Sequence, residues 1–338
     1  MRPIRILSID GGGVRGIIPS QVLVGVEDLI KKHIGREEAR ISDYFDIIAG
    51  TSIGGILTAM YLCPDENNPK RPKFSAIEVL DILNEKAPYI FKKSMGYSLR
   101  SAFGLLRPKY AGSNIEDNFK EYLGKVKLSE VLKPCLITAY DIEKRNAVFF
   151  NMISAKKNLE KDFFLTDVVR ATSAAPIYFP VANISSLADD EYVLADGGIF
   201  ANNPSVCAYV EANKLVSNID MNNVLMLSIG TGIDTFPYKF KKAKKWGAIK
   251  WSIPIFHIFM SGISETVDYE MRTMFKDKNK EENYLRIQTV LDKKRINSFS
   301  LDDCTKKNLK ALNEIGKEIF EENKDELEKF VKKLFSSY

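Results

Sequence analysis

At 338 residues the chain is long enough for one large α/β domain or two small ones, and with 45% of its residues apolar it has the material for a packed core, which excludes wholesale disorder. A net charge of +5 is too mild to point to a nucleic-acid polymer as partner, and four scattered cysteines (Cys63, Cys135, Cys207, Cys304) with no C-x-x-C pair exclude a disulfide scaffold or a zinc site and suit a reducing compartment. No charged start leads into an apolar signal region, and no apolar run reaches the ~18 residues of a membrane-spanning helix, so a soluble cytoplasmic protein is expected.

The first third alternates strand and helix. Residues 4–10 are a short apolar run ending in glycines, as a buried parallel strand does, and 17–34 carry helical periodicity. Residues 44–49 form a second apolar run ending at Gly50, and 53–62, nearly all apolar and small, predict a helix buried inside the domain. This repetition predicts a mostly parallel sheet with helices on both faces. Residues 64–73, with three prolines, are a loop; 75–91 and 114–123 predict helices. Between them, 97–112 has no clear period. Residues 135–141 and 147–151 predict strands joined by a turn at 143–146, and 192–195 a further short strand. Residues 204–216 predict a helix with proline in its first turn, 224–229 a buried strand, and 300–334 a charged helical tail broken near Gly316. No linker splits the chain. Residues 1–275 are expected to form the main body, with 276–338 a helical C-terminal extension of the same domain.

Gly50-Thr51-Ser52-Ile53-Gly54 lies between an apolar strand and an apolar helix, the setting in which G-x-S-x-G marks a nucleophile elbow. Such a turn is sharp and strained, and it aims the serine Oγ at a helix N-terminus that favours negative charge. The competing reading is a plain strand–helix turn with an incidental serine.

Asp10-Gly11-Gly12-Gly13-Val14-Arg15-Gly16 also fits the G-x-G-x-x-G of dinucleotide sites. That reading needs an acidic residue ~20 residues on, at the end of the second strand, and there this chain has its elbow instead. The other reading is an oxyanion hole in which the N–H groups of Gly11, Gly12 and Gly13 converge with no side chain in the way. Arg15 then pairs with a substrate phosphate in a fork that lysine does not copy, or else it is a surface arginine capping a turn.

A Ser-His-Asp triad needs a histidine, and the chain has two. His33 ends a charged helix beside Lys31 and Lys32; His257 sits in an apolar, aromatic stretch. The alternative base is a carboxylate, and Asp196 in Ala195-Asp196-Gly197-Gly198 is the best placed, at the end of a short strand. Its rivals Asp189, Asp190 and Glu191 form a solvated run, and Asp10 is expected to hold the glycine loop by hydrogen bonds. A turn-capping role is the competing reading of Asp196.

Taken in order, Gly11–Gly16, Gly50–Gly54 and Asp196–Gly198 resemble the motifs of the patatin-like phospholipases. The stretch from Arg170 to Pro176, Asn202-Asn203-Pro204, and Lys244-Lys245-Trp246-Gly247 with Trp251 and Pro254 are similar to further segments of that family, so the resemblance spans most of residues 4–275. It implies a three-layer α/β fold and a Ser52–Asp196 dyad in place of a triad. It implies an oxyanion hole from Gly11, Gly12 and Gly13 with Arg15 as helper, and cleavage of fatty acyl esters of phospholipids through an acyl-enzyme, with neither metal nor cofactor. Bacterial members that resemble this chain act in anti-phage signalling and are switched on by cyclic nucleotides. The resemblance therefore extends to a cyclic-nucleotide activator and to homo-oligomerisation.

Two expectations concern access. A constantly active phospholipase attacks its host's membrane, so a covered resting state is expected, with 97–112 as the cover and Gly96, Gly104 and Gly112 as hinges. Residues 239–250 carry six lysines and no acid, and 253–263 follow as an apolar run. That suits peripheral contact with an anionic membrane; the competing reading is a helix packed over the core behind a solvated lysine loop. Two other function classes remain open, a nucleotide-binding protein and an inactive scaffold.

Overall fold

The computed structural model describes residues 3–92, 107–216, 220–235, 237–292, 295–296 and 298–335. Its strands are Ile4–Ile9 (β1), Ile47–Thr51 (β2), Cys135–Asp141 (β3), Asn146–Phe150 (β4), Ala182–Ser185 (β5), Glu191–Asp196 (β6), Val224–Ile229 (β7), Ile233–Asp234 (β8), Tyr284–Ile287 (β9) and Val290–Leu291 (β10). Eight of them form the main sheet in the order β5-β6-β3-β2-β1-β7-β9, with β4 folded back on β3; β8 and β10 pair separately. The centre, β3-β2-β1-β7-β9, is parallel throughout, and β4, β5 and β6 add the antiparallel side. The apolar runs of β1, β2 and β7 follow from burial on both faces, which leaves no solvent side to alternate toward.

The helices that matter here are Ile17–Ile34 (α1), Ile53–Leu62 (α2), Ala76–Ile90 (α3), Ser113–Leu123 (α4), Leu165–Thr172 (α5), Ser205–Ala212 (α6), Ala248–Asp277 (α7), Lys306–Glu322 (α8) and Lys324–Leu334 (α9). They cover both faces, giving a three-layer α/β architecture. Ile6, Ile47 and Ala49 point to one side, against Ala208 of α6 and Met271 and Phe275 of α7. Leu7, Ile9 and Ile48, on the alternate positions, point to the other side with α1, α2, α3 and α5.

Several boundaries depart from the sequence reading. The run 44–49 is not one strand: Ile41–Tyr44 forms a helical turn and the strand starts at Ile47. The segments β5, β9 and α5 had no assignment, and the C-terminal region adds the edge strand β9 to the sheet before it becomes helical. Its break falls at Asn323, not at Gly316. Gly316 lies inside α8, where a Cβ would sit 2.6 Å from the Cβ of Gln21, so the glycine permits close packing of α8 on α1. Of the expected cover, 97–106 lie outside the described residues. Residues 109 and 110 are anchored: their N–H groups donate to the carbonyls of Ile177 and Tyr178, each at 2.9 Å.

Candidate active site

The elbow follows from crowding at the end of β2. Ser52 has φ 55° and ψ −122°, left-handed backbone that a non-glycine residue adopts only under constraint. A Cβ on Gly50 would collide with the Gly54 carbonyl, so only glycine fits there. Sequence reasoning missed what holds the serine: its N–H donates to Thr172 Oγ1 (2.9 Å), and Thr172 Oγ1 donates to the Thr138 carbonyl (2.7 Å). The signal was present in the Arg170–Pro176 stretch, which carried a resemblance but no assigned role.

Sheet register brings the carboxylate to the serine. Thr51 pairs with Thr138, and the next residue of β3, Ala139, pairs with Asp196. One strand thus aligns the end of β2 with the end of β6. Ser52 Oγ donates to Asp196 Oδ2 at 2.5 Å, and the Gly198 N–H donates to Asp196 Oδ1 at 2.7 Å. The Asp196 N–H is fixed on the Ala174 carbonyl (3.0 Å). Asp196 is buried. Burial pushes its carboxyl up to about 7, against the opposing pull of the Ser52 and Gly198 hydrogen bonds. A carboxyl tuned to that range exchanges a proton near neutral pH.

Neither histidine joins this pair. His33 packs against Phe335, ring centres 4.7 Å apart and planes tilted by 33°. His257 lies on α7 with its Nε2 buried and unbonded, and burial together with the nearby Arg15 charge lowers its pKa.

The glycine loop faces the elbow: a Cβ on Gly11 would lie 3.3 Å from the Ser52 Cβ. Its three amides differ. The Gly11 N–H donates to the Asn202 carbonyl at 3.0 Å, and the Gly11 carbonyl accepts from Thr231 Oγ1 at 2.7 Å. Gly11 therefore anchors the loop. The Val14 N–H donates to the Leu301 carbonyl at 2.9 Å. Among the described residues no acceptor meets the N–H of Gly12 or Gly13, which leaves these two as the donors open to a ligand.

Asp10 holds the start of the loop by hydrogen bonds, and its main partner, Arg286, was not apparent in the sequence. Its carboxylate pairs with Arg286 of β9, at 2.8 Å (Oδ1) and 2.5 Å (Oδ2). Arg15 is not a surface residue: it is buried, and its Nε and Nη1 have no hydrogen-bond partner. It lines a polar cleft with Thr231, Gln288 and Ser264. Met260 is shared by this cleft and an apolar one on the Ser52 side.

That second cleft has Ser52 and Asp196 in its wall and Ile56, Leu83, Ala87, Phe179 and Phe256 among its apolar lining. A serine hydrogen-bonded to a buried carboxylate, two free amides and an adjoining greasy cleft can hold an ester whose acyl part is a hydrocarbon chain.

A family model described as patatin-like phospholipase matches residues 7–206, which include the glycine loop, the elbow and Asp196. The chain is similar to "Patatin-like protein 2" of Oryza sativa subsp. indica, 36% identical over 350 residues that cover 96% of this chain and 85% of that protein. It is 36% identical to "Patatin-like protein 3" of Arabidopsis thaliana, over 93% of this chain and 79% of that one. To "Patatin group J-1" of Solanum tuberosum it is 34% identical, over 93% and 82%.

Proposed function

The chain belongs to the patatin-like phospholipase family and is a lipid acyl hydrolase, and from that premise we propose that it cleaves fatty acyl esters of membrane phospholipids through Ser52 and Asp196. The observation that carries the reading is the 2.5 Å hydrogen bond from Ser52 Oγ to the buried Asp196 carboxylate at the wall of the apolar cleft.

The acyl chain lies in the apolar cleft, where each buried methylene contributes about 0.8 kcal/mol. Ser52 Oγ attacks the ester carbonyl while Asp196 Oδ2 takes the hydroxyl proton. The Gly12 and Gly13 amides donate to the oxyanion, and water is kept from competing with them by the apolar wall. The tetrahedral adduct collapses, Asp196 returns the proton to the departing alcohol oxygen, and the acyl group stays on Ser52. Water then attacks this ester with Asp196 again as base, and fatty acid and free serine result. Arg15, a buried guanidinium with two unbonded nitrogens beside the glycine loop, is the donor for the head-group phosphate. Hydrolysis of a fluorogenic acyl ester by wild type and by Ser52→Ala tests the reading; equal rates contradict it.

Activation by a cyclic nucleotide, homo-oligomerisation and an anti-phage setting rest on the resemblance alone, since the relatives named above are plant proteins.

A further inference from the structure

Helix α7 has two apolar faces in its first half. Phe256, Met260 and Ser264, spaced four apart, face inward and are buried; Phe256 and Met260 wall the Ser52 cleft. On the opposite side Trp251, Ile255, Ile258 and Phe259 are exposed, again at helical spacing. A helix that is apolar all round is normally enclosed, and this one is not. Past Phe259 the same side turns mixed, with Glu265, Thr266, Glu270 and Thr273 exposed beside Tyr269. Ahead of it, Ile249 is 73% exposed and Phe240 77%. Lys239, Lys241, Lys242, Lys244, Lys245 and Lys250 are exposed in the same segment, and among the described residues none of the six pairs with a carboxylate.

We propose that residues 239–259 are a docking face for an anionic phospholipid bilayer, with the apolar side chains seated at the acyl boundary and the lysines at the level of the phosphates. Apolar and basic residues interleaved on one surface segment match such an interface, which combines buried apolar area with attraction to anionic lipid. Among the described residues no helix is long and apolar enough to cross a membrane, so the segment lies on the bilayer. A second copy of the chain is a poor occupant. A two-fold contact sets a patch against itself and would oppose lysine with lysine. The inference rests on the lipid acyl-hydrolase reading for its purpose: the helix that docks also supplies, on its inner face, part of the wall of the Ser52 cleft.

The chain supplies its own probe, because its two tryptophans, Trp246 and Trp251, both lie in the segment. The experiment uses full-length Ser52→Ala, which separates docking from turnover, with vesicles containing phosphatidylglycerol and vesicles of phosphatidylcholine alone. The expected result is a blue shift of tryptophan emission and co-sedimentation with the phosphatidylglycerol vesicles, weakened by salt. Adding Lys241→Glu, Lys244→Glu and Lys245→Glu should lower that binding on the order of a hundredfold, from about 1 kcal/mol per lysine. Phe240→Ser with Ile249→Ser should also weaken it, and an unchanged thermal transition establishes that each variant is folded. Equal binding to both vesicle types, undiminished binding by both folded variants, or a dimer that buries the tryptophans without lipid would overturn the proposal. If wild type binds these vesicles but leaves soluble esters intact, docking stands and the Ser52 reading falls.

Discussion

The Asp10 carboxylate and the Arg286 guanidinium, 276 residues apart in the chain, form a two-point ion pair with side chains that are 2% and 3% exposed. Asp10 opens the glycine loop, and Arg286 sits on β9, outside residues 7–206 matched by the family model. The loop is therefore held in register by the C-terminal region. Arg286 Nη1 also donates to Ser228 Oγ at 2.8 Å, so the pair has further hydrogen-bond support. Removing one partner of such a pair strands a buried charge. Arg286→Met should cost about 3–5 kcal/mol, read from urea unfolding, and Asp10→Asn combined with Arg286→Met should recover part of it. A cost within the error of the measurement would show that the pair does not hold the loop.

The role proposed for Asp196 predicts a pH dependence. As the base it must be ionised, and burial pushes its carboxyl up to about 7. The rate of soluble-ester hydrolysis at low substrate should rise between pH 5 and pH 8 with a midpoint near that value. The stability consequence has the opposite sense. A folded-state pKa above the unfolded one means the native protein holds a proton that the unfolded chain has lost, so stability is greatest below the unfolded value of about 4 and declines as pH rises to about 7. Asp196→Asn carries no such charge. Its melting temperature relative to wild type should climb between pH 5 and pH 8; a constant difference across that range would contradict a buried, elevated carboxyl.

The role proposed for Arg15 concerns the phosphate and not the ester. If its unbonded nitrogens receive the head group, Arg15→Gln should lower kcat/KM on an anionic phospholipid in mixed micelles by ten- to a hundredfold, a loss of about 1–3 kcal/mol for a charge-assisted bond. Hydrolysis of an uncharged ester should change much less. An equal loss on both substrates would assign Arg15 to the oxyanion or to the loop's shape.

What the sequence made legible was local. The strand-to-helix turn at Gly50–Gly54 and the turn that follows Asp196 were legible as turns because a turn's demands are written in the few residues that make it. Partners reached through the sheet were not legible. Thr172 under the Ser52 amide and Arg286 on Asp10 depend on strand order, which no single segment encodes. Short elements failed for another reason. The four residues of β5 and of β9 are too few for a period, and 41–51 shows that an apolar run does not separate a helical turn from a strand. Gly316 read as a break because a glycine that ends a helix and one that admits a neighbouring helix look the same in sequence. Likewise the apolar start of α7 suggested either core or membrane, and the structure has one face for the core and the other exposed.

The central claim is that Asp196, and no histidine, takes the proton from Ser52. The most direct measurement is the rate of soluble fluorogenic ester hydrolysis by Asp196→Asn beside the double variant His33→Ala/His257→Ala. Asparagine preserves the shape and the bond from the Gly198 N–H but is no base. The dyad predicts a loss of roughly a hundred- to ten-thousandfold for Asp196→Asn, the span usual for a general base, and near-wild-type rates for the histidine double variant. Retained activity in Asp196→Asn, or a histidine double variant as inert as Ser52→Ala, would contradict it.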